Sequence, residues 1–266
     1  MPRRKRRRWV KSLKRFNALL NTQLGTKTVV NHDAFTHSGT VATEPQSFLA
    51  FMLYGSYGDD DTSTDLCGAR DLQKIFANDT EVGTTTAAKV RFESGVLDLI
   101  LRNANVAVEE QDEALPQHVS IYEVIFRKIT DRADPHDDLT DAQDATGKIN
   151  STPDKLSIHQ NGVTFFDLPA FISLTGMRIL KKTDYLLPAG EFITYQIRDP
   201  RNYEFMTSDV FENEFKYIKP RMTKGLMVVY RNSPGGLLTQ NMMWQCTRKY
   251  SYKKLQNKFT ADNYIN

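Results

Sequence analysis

In the segment Met242–Leu255, Met242, Trp244, Cys246, Tyr250 and Tyr252 share one face, which only Arg248 breaks. Only an extended strand, whose successive side chains point to opposite faces, gathers such residues on one side. A strand with one apolar face is not stable alone. It needs neighbours in a sheet and a second layer to cover that face.

Seven further segments read as strands. Thr26–Val30 is short, and Phe48–Tyr54 is nearly continuously apolar up to Gly55. Ala88–Arg102 alternates, but its phase slips from Val90 and Phe92 to Leu97, Leu99 and Leu101. A bulge at Ser94-Gly95 would restore the inward face. Val119–Ile129 is β-branched and aromatic. Met177–Leu187 and Glu191–Arg198 flank Pro188-Ala189-Gly190 and read as a hairpin with a glycine-containing loop. Leu226–Arg231 stops at the turn signal running from Asn232 to Gly236. Helical pattern is confined to Leu66–Phe76 and, weakly, Pro169–Leu174, with no repeat and no strand–helix–strand rhythm. Eight strands joined by long connections, at 56–87 and 131–160 above all, predict an all-β fold. The expected architecture is an eight-stranded single jelly-roll β-sandwich with long loops.

The amino terminus differs from the rest. Arg3, Arg4, Lys5, Arg6, Arg7, Arg8, Lys11, Lys14 and Arg15 put nine cations and no anion in the first 15 residues. Taking these nine from the 35 basic residues leaves 26 against 32 acidic ones, a balance of −6 for the remainder. The chain is therefore expected to be an acidic body carrying a cationic arm. Guanidinium groups pair with phosphate oxygens in a two-pronged geometry and stay charged at every relevant pH. A flexible run of them neutralises a nucleic-acid backbone without reading bases. The same run fits a nuclear localisation signal, and an anionic membrane surface is a further possible partner. From Trp9 the pattern turns helical: Trp9, Leu13, Phe16, Leu20 and Leu24 form one apolar stripe with basic flanks, ended by Gly25. The stripe is read as packing on the domain or a neighbouring subunit, the alternative being a membrane-active amphipathic helix. The expected organisation is an arm at 1–25, a sandwich domain at 26–256 and a tail at 257–266.

Catalytic chemistry is not expected. The chain has no GxSxG elbow, no GxxxxGK[ST] phosphate loop, no GxGxxG and no HExxH. Its five histidines, His32, His37, His118, His136 and His159, show no ligand spacing beyond the pair His32/His37. The aspartates Asp131, Asp134, Asp137, Asp138, Asp141 and Asp144 read as a solvated acidic loop, a divalent cation being the alternative. Asp59, Asp60 and Asp61 are read the same way. No metal and no cofactor is expected. Cys67 and Cys246, far apart and in no CxxC pair, are expected to be free, buried thiols in a reducing compartment. No run of about 18 apolar residues marks a membrane span, and the charged start does not read as a secretory signal.

With these features in hand, the sequence resembles the capsid proteins of circular Rep-encoding single-stranded DNA viruses, the circovirus-like group. The resemblance lies in the succession "MPRRKRRRW", "FLAFMLYG" (48–55), "KVRFESGVLDLILRNAN" (89–105) and "IYEVIFRK" (121–128), then "ILKKTDYLLPAGEFITYQIRDPRN" (179–202), "KGLMVVYRN" (224–232) and "WQCTRKYSYK" (244–253). It implies a single jelly roll, a small icosahedral shell of sixty copies and a circular single-stranded DNA inside. It also implies that Arg3–Arg8, with Lys11, Lys14 and Arg15, contact DNA and engage a host nuclear import receptor, placing the protein in the virion and the host nucleus. A host cell-surface receptor is implied without any residue to assign to it. The alternatives are the capsid protein of a small RNA virus and a non-viral nucleic-acid-binding β-sandwich module.

Overall fold

The computed structural model of the chain describes residues 25–39, 47–56, 66–79, 88–105, 115–127, 177–211, 219–232 and 240–255. Within them lie ten strands: β1 (Lys27–Gly39), β2 (Ser47–Leu53), β3 (Leu66–Cys67), β4 (Lys89–Asn103), β5 (Gln117–Phe126), β6 (Met177–Leu187), β7 (Phe192–Asp199), β8 (Tyr203–Met206), β9 (Lys224–Asn232) and β10 (Gln240–Leu255). The helix α1 (Asp71–Asn78) and a one-turn helix at Ser208–Phe211 complete the described elements. All eight predicted segments are strands. The two short ones, β3 and β8, were not foreseen.

The strands form two sheets. The first runs β1-β10-β4-β7, with β8 also on β4; the second runs β3-β2-β9-β5-β6. Long strands pair antiparallel in a nested order, β1 with β10, β2 with β9, β4 with β7 and β5 with β6. First pairs with last and inner with inner, as in one long hairpin folded over on itself, and that is the jelly roll. The expected fold class is the observed one.

Three sequence expectations change. The segments around Pro188-Ala189-Gly190 do not form a hairpin: β6 pairs with β5 in one sheet and β7 with β4 in the other. The turn is a corner between layers, with Gly190 at a φ of 79°. Buried Asn103 holds it, donating from Nδ2 to the carbonyls of Leu187 and Leu115, both at 3.0 Å. Its backbone also bonds both ways, Gly190 N–H to Asn103 O at 2.9 Å and Asn103 N–H to Glu191 O at 3.1 Å. Stacking rather than pairing lets Leu187, Tyr195 and Ile197 face a common core.

The helix begins at Asp71, not Leu66, because Leu66 and Cys67 pair in parallel with Ala50 and Phe51. Its apolar face of Leu72, Ile75 and Phe76 is buried, while Leu72 N–H bonds Gly55 O at 2.9 Å.

The bulge on β4 lies one residue before its predicted place. Ser251 faces Ser94 and Tyr252 faces Phe92, so Glu93 is the extra residue. Val90 and Phe92 before it, and Gly95, Leu97, Leu99 and Leu101 after it, all turn inward. Gly95 has a different task. A Cβ there would meet the Tyr54 hydroxyl at 2.5 Å, so the glycine makes room for that ring.

The core between the sheets is aromatic, with Phe92, Tyr54, Tyr250, Tyr252 and Phe205 packed ring to ring. The middle strands of the second sheet, β2, β9 and β5, are largely buried on both faces. Phe51, Leu53, Leu226, Val228, Val119 and Ile121 point to the core, and Ala50, Met52, Met227, Val229, Tyr122, Val124 and Phe126 are buried on the other side. This is why Phe48–Tyr54 and Leu226–Tyr230 read as continuous apolar runs while β10 alternates.

Candidate nucleic-acid interface

The predicted contact residues Arg3, Arg4, Lys5, Arg6, Arg7, Arg8, Lys11, Lys14 and Arg15 lie outside the described residues, as do the stripe from Trp9 to Leu24 and the acidic loops at 59–61 and 131–144. What the structure places is the point where the arm joins the domain. The described chain enters at Gly25, and Lys27 pairs with Tyr252 at one end of the β1–β10 ladder. The arm is thus tied to the edge strand of the first sheet.

The outer face of that sheet follows from parity. Because Trp244, Cys246, Leu97, Leu99, Tyr195 and Ile197 face inward, their sequence neighbours face out. Across the strands, Val30, Lys249, Val96 and Arg198 form one row. His32, Thr247, Asp98 and Gln196 form the next, then Ala34, Gln245, Ile100 and Thr194, then Thr36, Met243, Arg102 and Phe192. Lys253, Arg91 and Glu204 continue the face at the arm end.

Six cations therefore share the face, namely Lys89, Arg91, Arg102, Arg198, Lys249 and Lys253, against the anions Glu93, Asp98 and Glu204. Half of them are neutralised locally. Lys89 reaches Glu204 at 3.0 Å, Arg91 donates Nε to the same carboxylate at 2.8 Å, and Lys253 reaches Glu93 at 2.8 Å. The hydrogen bond from Lys89, with the charge of Arg91 beside it, holds the Glu204 carboxyl below its ordinary range. The others are left available for anions. Arg102 gives Nε to the Gly190 carbonyl at 3.1 Å and Arg198 gives Nε to Gln196, neither of them acidic, while Lys249 has no ion pair among the described residues. Phe192, 61% exposed, stands beside Arg102 as the apolar element of the same row.

A guanidinium next to an exposed ring, with a lysine sharing a row with a second guanidinium, offers phosphate contacts and a surface for a base. The body outside the first 15 residues is acidic in sum. The sheet parity separates charges by side, so a body acidic in sum still turns a net positive face outward. Composition cannot reveal that. The alternation of Lys249, Ser251 and Lys253 with Arg248, Tyr250 and Tyr252 was the available signal.

The described histidines are scattered. His32 Nδ1 lies 2.8 Å from Thr247 Oγ1, His37 hydrogen-bonds Tyr230 across the sheets, and His118 is exposed on β5. Among the described residues no three His, Cys, Asp or Glu side chains converge as a metal site would require. His136 and His159 are outside the described residues.

No family model matches the sequence, and no curated protein matches it. Solved structures do. One is a decameric BFDV capsid protein, 9% identical over 87% of this chain and 100% of that one, at a TM-score of 0.34. A Desmodium yellow mottle tymovirus structure is 7% identical over 89% of this chain and 94% of that one, at 0.32. A mud crab tombus-like virus structure is 9% identical over 90% and 85%, also at 0.32. These neighbours are viral capsid structures from more than one kind of virus. The jelly-roll assignment rests on the nested strand pairing of the chain itself.

Proposed function

We propose that this chain is the coat subunit of a small virus, which assembles with copies of itself into a closed shell and holds single-stranded circular DNA with its basic arm. The observation that carries the reading is the net positive outer face of the first sheet, on whose edge strand the described chain begins. Nine cations within 15 residues are joined to the edge strand of a jelly roll, next to the one sheet face that bears Lys249, Arg198 and Arg102. Arm and face then serve one side of the subunit, the side a packaged polyanion would occupy. The arm supplies sequence-independent neutralisation, releasing counterions as it binds. In a shell of about 60 copies it would bring roughly 540 positive charges to the interior, a scale suited to condensing a small genome.

No step in this function is catalytic. The arm also acts as the nuclear localisation signal, engaging a host import receptor, so that assembly takes place in the host nucleus. Phosphate chemistry fits RNA equally well, and nuclease treatment of the packaged material separates the two.

Purified recombinant protein is expected to form uniform round particles in negative stain, with excess absorbance at 260 nm. Protein that stays monomeric across salt and pH would overturn the coat reading and leave a nucleic-acid-binding module. DNase-resistant but RNase-labile content after mild opening of the particles would move the genome assignment to RNA.

A further inference from the structure

Cys67 and Cys246 come from opposite sheets and meet in the core. Cys67 closes β3 in the second sheet, and Cys246 sits in the middle of β10 in the first. Two observations place them together. Cys246 pairs across the ladder with Asp33, whose Oδ2 lies 3.7 Å from the Cys67 sulfur. Arg248, on the same face of β10 as Cys246, brings Nη1 to 2.6 Å from the Cys67 sulfur. Both are free, with exposures of 3% and 0%.

We propose that Cys67 and Cys246 are a redox pair that closes into a disulfide linking the two sheets when a peroxide oxidises it. The surroundings suit the chemistry. A thiolate is the reactive form of cysteine, and a guanidinium beside it stabilises that form. Burial pushes the Cys67 thiol up, so it keeps its proton. Burial acts on Cys246 in the same direction, but the hydrogen bond from Cys67 and the charge of Arg248 outweigh it and draw that thiol below its ordinary value. One of the two sulfurs attacks the oxidant and the other resolves, with the Arg248 guanidinium against the Cys67 sulfur and on the same face of β10 as Cys246.

The reaction balances with hydrogen peroxide as the oxidant. One cysteine sulfur attacks a peroxide oxygen, the O–O bond breaks, and its thiol proton leaves with the departing hydroxide as water. The other cysteine sulfur then attacks the resulting sulfenic acid, the S–O bond breaks, and a second water carries away its proton. Two thiols are oxidised and one peroxide is reduced. The new bond joins residues 179 positions apart, the difference between 246 and 67. A link across so long a loop restricts the unfolded chain strongly.

This inference does not depend on the coat reading. The test uses the full chain, purified under reductant, exchanged into reductant-free buffer and treated with hydrogen peroxide. The expected result is loss of two hydrogens in the intact mass and a linked peptide pair containing Cys67 and Cys246 after digestion without reduction. The thermal midpoint should rise by on the order of 10 °C and fall back when reductant is added. Cys67→Ser and Cys246→Ser should each abolish the linked pair. The proposal is overturned if the folded protein keeps both thiols under conditions that oxidise the denatured chain. Oxygen adducts on a single cysteine, or a link between two chains, would overturn it as well.

Discussion

Arg248 and Asp71 form a two-pronged ion pair inside the molecule: Nε reaches Oδ2 at 2.6 Å and Nη2 reaches Oδ1 at 3.1 Å, with Arg248 1% exposed and Asp71 0%. Asp33 shares the guanidinium at 2.6 Å from Nη2, while Asn31 Nδ2, at 2.9 Å, and the Tyr250 hydroxyl both donate to Asp71. A charge this deep is tolerated because nearly every donor and acceptor is engaged. Gly68, at a φ of 85°, lets the backbone pass close by, since a Cβ there would meet the Arg248 Nε at 2.9 Å.

Removing one side of the pair should therefore be costly. Arg248→Met leaves Asp71 and Asp33 without their cation and is expected to destabilise the domain by about 3–5 kcal/mol in urea unfolding. Arg248→Met combined with Asp71→Leu should recover part of that loss, because no buried charge is then stranded. A loss under about 1 kcal/mol for Arg248→Met would show that water reaches the site.

Tyr54 supplies a second test. It adopts a φ of 62°, is fully buried, and its hydroxyl has no hydrogen-bond partner among the described residues. Tyr54→Phe is expected to be neutral or to stabilise by about 1 kcal/mol, since it removes an unsatisfied buried group. Gly95→Ala, by contrast, drives a methyl against the same ring and should cost about 1–3 kcal/mol. Thermal unfolding of the two variants reads both signs.

The pH profile should have two edges. Burial raises the Asp33 carboxyl, but the hydrogen bond and charge of Arg248 outweigh it and leave the group below its ordinary value of 3.8. Glu204 is lowered by Lys89 and Arg91. Such groups stabilise the fold fully above their unfolded values and lose that contribution as pH falls through the lower folded ones, so acid unfolding is expected below about pH 4. Burial pushes the phenols of Tyr54, Tyr203 and Tyr250 up, and nearby Asp199 or Asp71 adds to the shift. Their contribution is complete below pH 10, the ordinary value, and lost as pH climbs above it. Phenolate absorbance from these rings should appear together with loss of the β signal in circular dichroism, not before it.

The interface makes a separable prediction. Deleting residues 1–15 should leave a folded domain that still assembles but captures far less nucleic acid. Lys249→Glu with Arg198→Glu should weaken the remaining capture further and flatten its salt dependence, since the slope scales with the number of phosphates the protein neutralises. Unchanged binding by that pair of substitutions would confine the interface to the arm.

What could be read from the chain alone was whatever depends on a few consecutive residues. The strand segments, their inward faces and the presence of a bulge on β4 were legible because side-chain direction alternates locally with the backbone. The cationic run at residues 3–15 is legible as composition, and its residues lie outside those the structure describes. The pairing of strands was another matter. Pro188-Ala189-Gly190 has the composition of a hairpin turn, yet it spans the two layers, because Asn103 and the shared core decide where β6 and β7 lie.

Arg248 stood out in sequence only as an interruption. That it is a buried ion centre depends on Asp71, which is 177 residues away and is brought beneath it by a helix docking on the core. The nearness of Cys67 and Cys246 to the same Asp33 and Arg248, and the gathering of Lys249, Arg198 and Arg102 on one face, arise in the same way. Local chemistry determined the elements and their faces, while non-local packing alone decided which charges and thiols would meet, because no local pattern encodes a partner contributed by another strand.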